Sequence, residues 1–255
     1  AEDKEGFLNL VRRAFDIGNE FFSGPGKGVV PAMPCSIDVK NAPPFLQKYA
    51  FMVFFANMFD PNKETPRAIY MVGADALDVT KDPDCSQEHA LQVGTHEVTP
   101  GHINEGRYKK RIPDVSLRMG SMGSVALIEG WGLFSEEIAA ESGFFEYAGE
   151  RTGCDPQVLR LFYMNAKLLR AGRMVADPSL QMGLMTPSQV EEYLVDECLQ
   201  DQQFAKGQAR YYPNVPGYSS TYYPGYLFLK ALRDLVVETL DGFMDEKQAR
   251  YFFYQ

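Results

Sequence analysis

The chain has 255 residues, 45% of them hydrophobic and 13% aromatic, with a formal net charge of −9. That composition excludes an intrinsically disordered chain, and the length supports a sizeable core without disulfide staples. The acidic balance argues against nucleic acid as a partner, because phosphate binding calls for a basic face.

Residues 3–22 read as an amphipathic helix, followed by the Gly/Pro-rich stretch SGPGKGVVPAMP. Strands are expected around residues 49–57 and 67–73, on either side of the turn DPNKETP. The longest apolar stretch, YAFMVFFANMF, falls short of the ~18 residues a membrane span needs, so no spanning helix is expected. A helix should start near Ser86, which is suited to its N-cap. Residues 121–141 read as one long apolar helix whose end, with Glu136, Glu137 and Glu141, looks like a solvated face. Asp155 and Pro156 mark the N-cap and first position of the next helix, and Thr186 with Gln189 forms a capping-box pattern around Pro187. The segment YLFLKALRDLVVETL is helical by period. Cys35, Cys85, Cys154 and Cys198 form no CxxC pair and read as buried thiols, with one or two disulfides as the alternative in an exported protein. The expected fold is α+β: one domain over 1–255, with a helix and a small sheet in 1–85 and a helical majority in 86–255.

The chemistry concentrates in HEVTPGH, residues 96–102, which holds two of the three histidines. Zinc favours imidazole and carboxylate ligands, and the usual zinc-peptidase helix carries His-Glu-x-x-His with the glutamate as general base. Here the position four residues after His96 is Pro100, and the second histidine, His102, lies at i+6. Six helical residues turn about 600°, so a straight helix would place His102 about 240° away from His96. Pro100 removes a helical N–H and its ring clashes with the His96 carbonyl, while Gly101 tolerates φ values closed to other residues. The helix should therefore open or bulge there and swing His102 back beside His96. His89, seven residues before His96, is about 10 Å away by helix rise and reads as core or as support behind the ligands. Glu129, set among Val125, Leu127, Ile128 and Trp131, is an acid that is costly to bury unless it is paired or holds a metal. Glu105 is the rival third ligand, and a salt bridge to an arginine is the bland reading of Glu129.

These residues resemble a large bacterial family called domain of unknown function 885, whose pattern HExxPGH…EGWALYAE is similar to HEVTPGH followed by EGWGLFSEE here. The resemblance implies a gluzincin-type zinc peptidase domain, mostly helical, with His96, His102 and Glu129 as Zn2+ ligands and Glu97 as base. The likeness continues over 168–190, where Arg170, Arg173 and Asp177 match and Gln181 replaces a family histidine. Over 210–233, Arg210, Pro216, Gly217, Tyr222 and Gly225 match, while Tyr218 and Tyr223 replace a family glutamine and lysine. These departures fall where substrate would be held, so Arg173, Asp177, Gln181, Arg210, Tyr218 and Tyr223 are candidate substrate contacts. Arg173 and Asp177, at i,i+4, also fit a plain helix salt bridge. Tyr222 fits either a packed aromatic or a phenol that donates to the oxyanion of a tetrahedral intermediate.

The expected function is hydrolysis of a peptide or small amide by Glu-activated water on zinc. The alternatives are a non-peptidase amide-processing or biosynthetic metalloenzyme, and an inactive metal-binding interaction protein. The strand at 67–73 is expected at a sheet edge, where it would pair with an extended substrate. The resembling family has chains about twice this length, and this one starts at Ala1 without a Met. An N-terminal lobe, cut off or supplied as a separate polypeptide, is therefore expected to complete the cleft, with apolar surface uncovered around helix 3–22 and the strands. Cytoplasmic and exported locations both remain open.

Overall fold

The computed structural model describes residues 3–33, 36–47, 51–55, 67–75, 77–81 and 83–255. Cys35 and the turn DPNKETP lie outside the described residues. The fold is α+β and mostly helical, with the strands confined to the N-terminal third.

Helix α1 (Lys4–Ser23) begins at Asp3, whose carboxylate accepts from the Gly6 N–H at 2.7 Å. Its apolar stripe of Phe7, Val11, Phe15 and Phe22 is buried in the main core, packed against the sheet and α2 (Gln87–Glu97). The sheet has three strands in the order β1-β3-β2: β1 (Ser36–Asn41) runs parallel to β3 (Arg67–Val72), and β2 (Phe51–Phe55) runs antiparallel to it. This corrects the expectation for 67–73. β3 is the central strand, with both hydrogen-bonding edges already taken, so it cannot add a substrate strand. Strand β1 follows the Gly/Pro-rich stretch and was not expected.

The helical part continues with α3 (His102–Lys109), α4 (Val115–Gly123), α5 (Val125–Glu141), α6 (Phe144–Thr152) and α7 (Pro156–Gln181). It ends with α8 (Pro187–Asp196), α9 (Gln202–Tyr211), α10 (Tyr222–Thr239) and α11 (Glu246–Phe253). The expected caps are present: Asp155 accepts from Gln157 N–H at 2.8 Å, and Thr186 and Gln189 bond reciprocally. The stretch 121–141 is not one helix. Ser124 turns extended (φ −90°, ψ 102°) and its hydroxyl accepts from Leu127 N–H, ending α4 and capping α5.

Helix α5 is the spine of the molecule. It lies closest to α10, where Gly130 faces Gly225: a Cβ on Gly225 would sit 1.8 Å from the Ala126 carbonyl oxygen. Leu133, Phe134 and Ile138 of α5 join the main core, while Leu169, Val190, Leu194 and Tyr212 form a second cluster joining α7, α8 and the end of α9. Glu137, expected on a solvated face, is instead buried. It accepts from Lys167 of α7 at 2.7 Å, Lys230 of α10 at 2.6 Å, Tyr163 at 3.2 Å, and Tyr226. Burial alone would raise its pKa; the two ammoniums and the Tyr226 hydroxyl outweigh it and bring the carboxyl to about 2. The uncovered apolar surface expected around helix 3–22 is not found there, while Phe45, between β1 and β2, is exposed. The apolar side of α1 is covered, and the exposed large side chains include Leu161 and Met164 on α7 and Phe228 and Leu235 on α10.

Two predictions follow from this spine. Gly225→Ala should lower stability by about 1–3 kcal/mol or more, because the backbone of α5 cannot yield to the new methyl. Gly120→Ala in α4, where a Cβ meets nothing within 4 Å, should instead be neutral or stabilising by up to about 1 kcal/mol; thermal denaturation of the pair checks both. Glu137→Gln should cost about 3 kcal/mol at neutral pH. A depressed carboxyl contributes fully above its unfolded-state pKa of about 4.3, and the contribution is lost as pH falls through about 2. The gap between variant and parent should therefore close between about pH 5 and pH 2, as read by denaturant unfolding at each pH.

Candidate metal centre

The segment 96–102 does not bulge within one helix; it breaks into two. Helix α2 ends at Glu97, Thr99–Pro100 is a cis peptide, and α3 starts at His102. Gly101 is required for space rather than for its φ, which is −67°: a Cβ there would lie 1.8 Å from the His96 carbonyl oxygen. The corner is pinned from three sides. Trp131 Nε1 donates to the Pro100 carbonyl at 3.0 Å, Thr99 Oγ1 donates to Asn19 at 2.8 Å, and Asn104 N–H reaches back to the Val98 carbonyl at 3.1 Å.

The corner brings the two imidazoles together, with ring centres 4.8 Å apart and nearly perpendicular. Glu129, from α5, faces both: its Oε2 is 3.5 Å from His96 Nε2 and 3.5 Å from His102 Nε2. One ligand atom from each of these residues lies within 4.8 Å of the others. Gly132, one turn after Glu129, admits the His96 ring, since a Cβ there would be 2.5 Å from it.

The far side of each imidazole is held by another acid. His96 Nδ1 bonds Glu136 Oε1 at 2.6 Å, and His102 Nδ1 lies 3.5 Å from Oε2 of Glu105, whose other oxygen pairs with Lys109. A carboxylate behind each ring fixes the tautomer that turns Nε2 toward a metal. Glu105 thus supports His102 and stands outside the three-residue cluster. Glu136, read from sequence as solvated, is almost fully buried. Its signal was its spacing: seven residues from Glu129 place both on one face of α5.

The charges fit a cation. Burial penalises the charged forms of both histidines, but bonds to Glu129 and to the acid behind each ring raise their pKa values, that of His102 strongly. Burial also opposes ionisation of Glu129, yet the two histidines hold it well below the usual carboxylate range. The cluster therefore attracts positive charge, and two imidazoles plus a carboxylate are a donor set that zinc accepts with one position left open. Glu97 has no hydrogen-bond partner among the described residues. Its pKa is raised, chiefly by burial, against the pull of His102, His96 and Arg170.

Tyr218 and Tyr222 close one side. The Tyr218 hydroxyl donates to Glu129 Oε1, leaving Oε2 toward the histidines. The Tyr222 ring stacks on His96 at 6.4 Å and 23° and meets Tyr218 edge-on at 5.9 Å. Asp177 is fully buried and does not pair with Arg173. It accepts from the Gly217 and Ser220 N–H groups at 3.4 and 3.3 Å, and from Gln181 at 3.1 Å, so Asp177 and Gln181 hold the loop that carries Tyr218. Arg173 lies over Tyr222. Tyr223 packs on the main core beside Tyr226, and Arg210 is exposed on α9; neither is brought to the cluster. His89 stays at the start of α2, with Nδ1 2.7 Å from the Asp84 carbonyl.

Glu136→Gln should weaken zinc binding about 10–100-fold while the fold persists, the range for losing a support behind a metal-ligating histidine. Competition with a chromophoric chelator measures it, and unchanged affinity would remove Glu136 from the site.

No curated protein matches the sequence. Among solved structures, the chain is similar to a candidate lipoprotein of unknown function from Shewanella oneidensis, with TM-score 0.72 and 22% identity, covering 100% of this chain and 44% of that one. A candidate lipoprotein from Colwellia psychrerythraea matches with TM-score 0.67 and 21% identity, over 98% of this chain and 40% of that one. The chain thus spans less than half the length of either. The family model described as bacterial protein of unknown function (DUF885) matches residues 2–248, and the chain belongs to that family.

Proposed function

We propose that this protein is a gluzincin-like, zinc-dependent hydrolase of peptide or related amide bonds. The observation that carries the reading is the convergence of His96 Nε2 and His102 Nε2 on one oxygen of Glu129, with Glu97 within electrostatic reach of both and without a hydrogen-bond partner among the described residues. His96, His102 and Glu129 would hold the ion, which when bound supplies Lewis acidity and lowers the pKa of a ligated water to about 7.

The remaining work falls to the chain's own side chains. Glu97 accepts a proton from the attacking water and returns it to the leaving nitrogen. Burial raises its pKa, which favours its taking a proton. Tyr222 offers a phenol to the oxygen that becomes negative as the carbonyl is attacked. Burial pushes that phenol's pKa up, which keeps it protonated and able to donate. Glu136 and Glu105 hold the imidazoles, and Tyr218 holds Glu129 by one oxygen.

A second lobe over the cleft is part of the proposal. The two matched structures are more than twice as long as this chain, and Leu161, Met164, Phe228 and Leu235 stand exposed on α7 and α10. A covering lobe or separate chain would bury them.

Glu97→Gln should keep zinc affinity and lose about 10²–10⁴ in rate. Tyr222→Phe should lower kcat with little change in KM, because its contact is made mainly in the transition state. Steady-state kinetics on a peptide library with zinc-loaded protein reads both. Full turnover by Glu97→Gln, or no turnover of any peptide by the parent, contradicts the assignment.

A further inference from the structure

Arg170 and Arg173 are three residues apart on α7 and so share a helix face. Their guanidinium carbons stand 5.9 and 5.3 Å from the centre of the Tyr222 ring. The same ring stacks on His96 at 6.4 Å. Tyr222 therefore links the candidate metal cluster to two cations, and the two short steps bound the distance between them.

Neither guanidinium makes a direct ion pair with a carboxylate among the described residues, although Arg170 is near enough to Glu97 to favour its charged form. Arg170 donates to the Ala166 carbonyl at 3.2 Å and Arg173 to the Gln208 side-chain oxygen at 2.8 Å. The Nε of each is buried without a hydrogen-bond partner. Acids are not scarce in a chain with 34 Asp and Glu against 25 Lys and Arg. Other arginines have found them: Arg160 pairs with Glu146, and Arg233 and Arg250 with Glu141. Asp177, one turn from Arg173, is committed to the 217–220 loop. A half-buried, unpaired guanidinium is costly, and a cation–π contact returns only about 0.5–2 kcal/mol. Two such groups side by side, next to a candidate catalytic cluster, are what an incoming anion would complete.

We propose that Arg170 and Arg173 form a carboxylate-binding subsite, and that the substrate carries a carboxylate one or two residues beyond the bond to be cleaved. The placement rests on the hydrolase reading above; the subsite itself does not. A guanidinium presents a planar fork that matches a carboxylate in two-point contact. An extended peptide advances about 3.3–3.6 Å per residue, so one or two residues bridge from a carbonyl at the cluster to the arginines. The enzyme so described is exo-acting and releases one or two residues from a free C-terminus.

The test is calorimetric titration of the full chain carrying Glu97→Gln, so that no probe is consumed, with and without zinc. The probes are acetyl-trialanine, its C-terminal amide, and acetyl-alanyl-glutamate amide. The free acid should bind about tenfold or more tightly than its amide in both metal states. Arg170→Gln and Arg173→Gln, made separately, should each remove most of that preference and leave amide binding unchanged. Arg173→Lys, which keeps the charge without the fork, should restore part of it and guards against a folding defect. Equal binding of acid and amide, or a preference that survives both Gln substitutions, overturns the subsite. Tighter binding of the glutamate probe than of the free acid overturns exo-action. Turnover of peptides by the parent is measured apart: turnover without carboxylate preference removes the subsite and leaves the hydrolase reading, and carboxylate preference without turnover does the reverse.

Discussion

The chemistry of this molecule depends on the corner between α2 and α3. Helical geometry alone would send His96 and His102 in different directions, because six residues do not return to the same face. The corner at 98–101 removes that constraint, and it exists only because Pro100 cannot continue the helix and Gly101 has no Cβ to strike the His96 carbonyl. Its position is then fixed from outside, by Trp131 of α5 and Asn19 of α1. Two elements distant in sequence thus hold a seven-residue segment in a shape it would not keep alone.

Helix α5 does the complementary work. It carries Glu129 to the imidazoles, Gly132 to make room for one of them, and Glu136 to hold that ring from behind. Its next residue, Glu137, turns to the other side and ties α7 and α10 to the spine through two lysines. Helix α10 in turn begins with Tyr222, and its close approach to α5 at Gly130 and Gly225 sets how near that ring comes to His96. Buried acids in one helix would be destabilising without partners. Here each buried acid has a defined one, so the cost of burial and the shaping of the site are a single feature.

Much of this was legible in the residues. The breaker pair inside HEVTPGH signalled a corner, and an acid within the apolar run VALIEGWGLF signalled a buried carboxylate. The caps at Asp155 and Thr186 were readable because capping is local. What was not legible was non-local. Strand β1, SIDVKN, is short and largely polar, and it is a strand through its pairing with β3. With β1 unseen, β3 looked like an edge when it is the centre of the sheet. Glu136 and Glu137 looked solvated because acids usually are; their partners sit on helices far away in sequence. The break at Ser124 was hidden because helix-compatible residues continue on both sides of it. Asp177 looked like half of a helix salt bridge, and only the folded chain shows that a loop forty residues later needs its carboxylate.

The central claim is that one ion is held by His96, His102 and Glu129. The most direct measurement is anomalous diffraction on either side of the zinc edge from a crystal grown with zinc. The account predicts a single strong peak about 2.0–2.2 Å from Nε2 of both histidines and from Glu129. A fully occupied zinc elsewhere, with no peak between these three side chains, would contradict it.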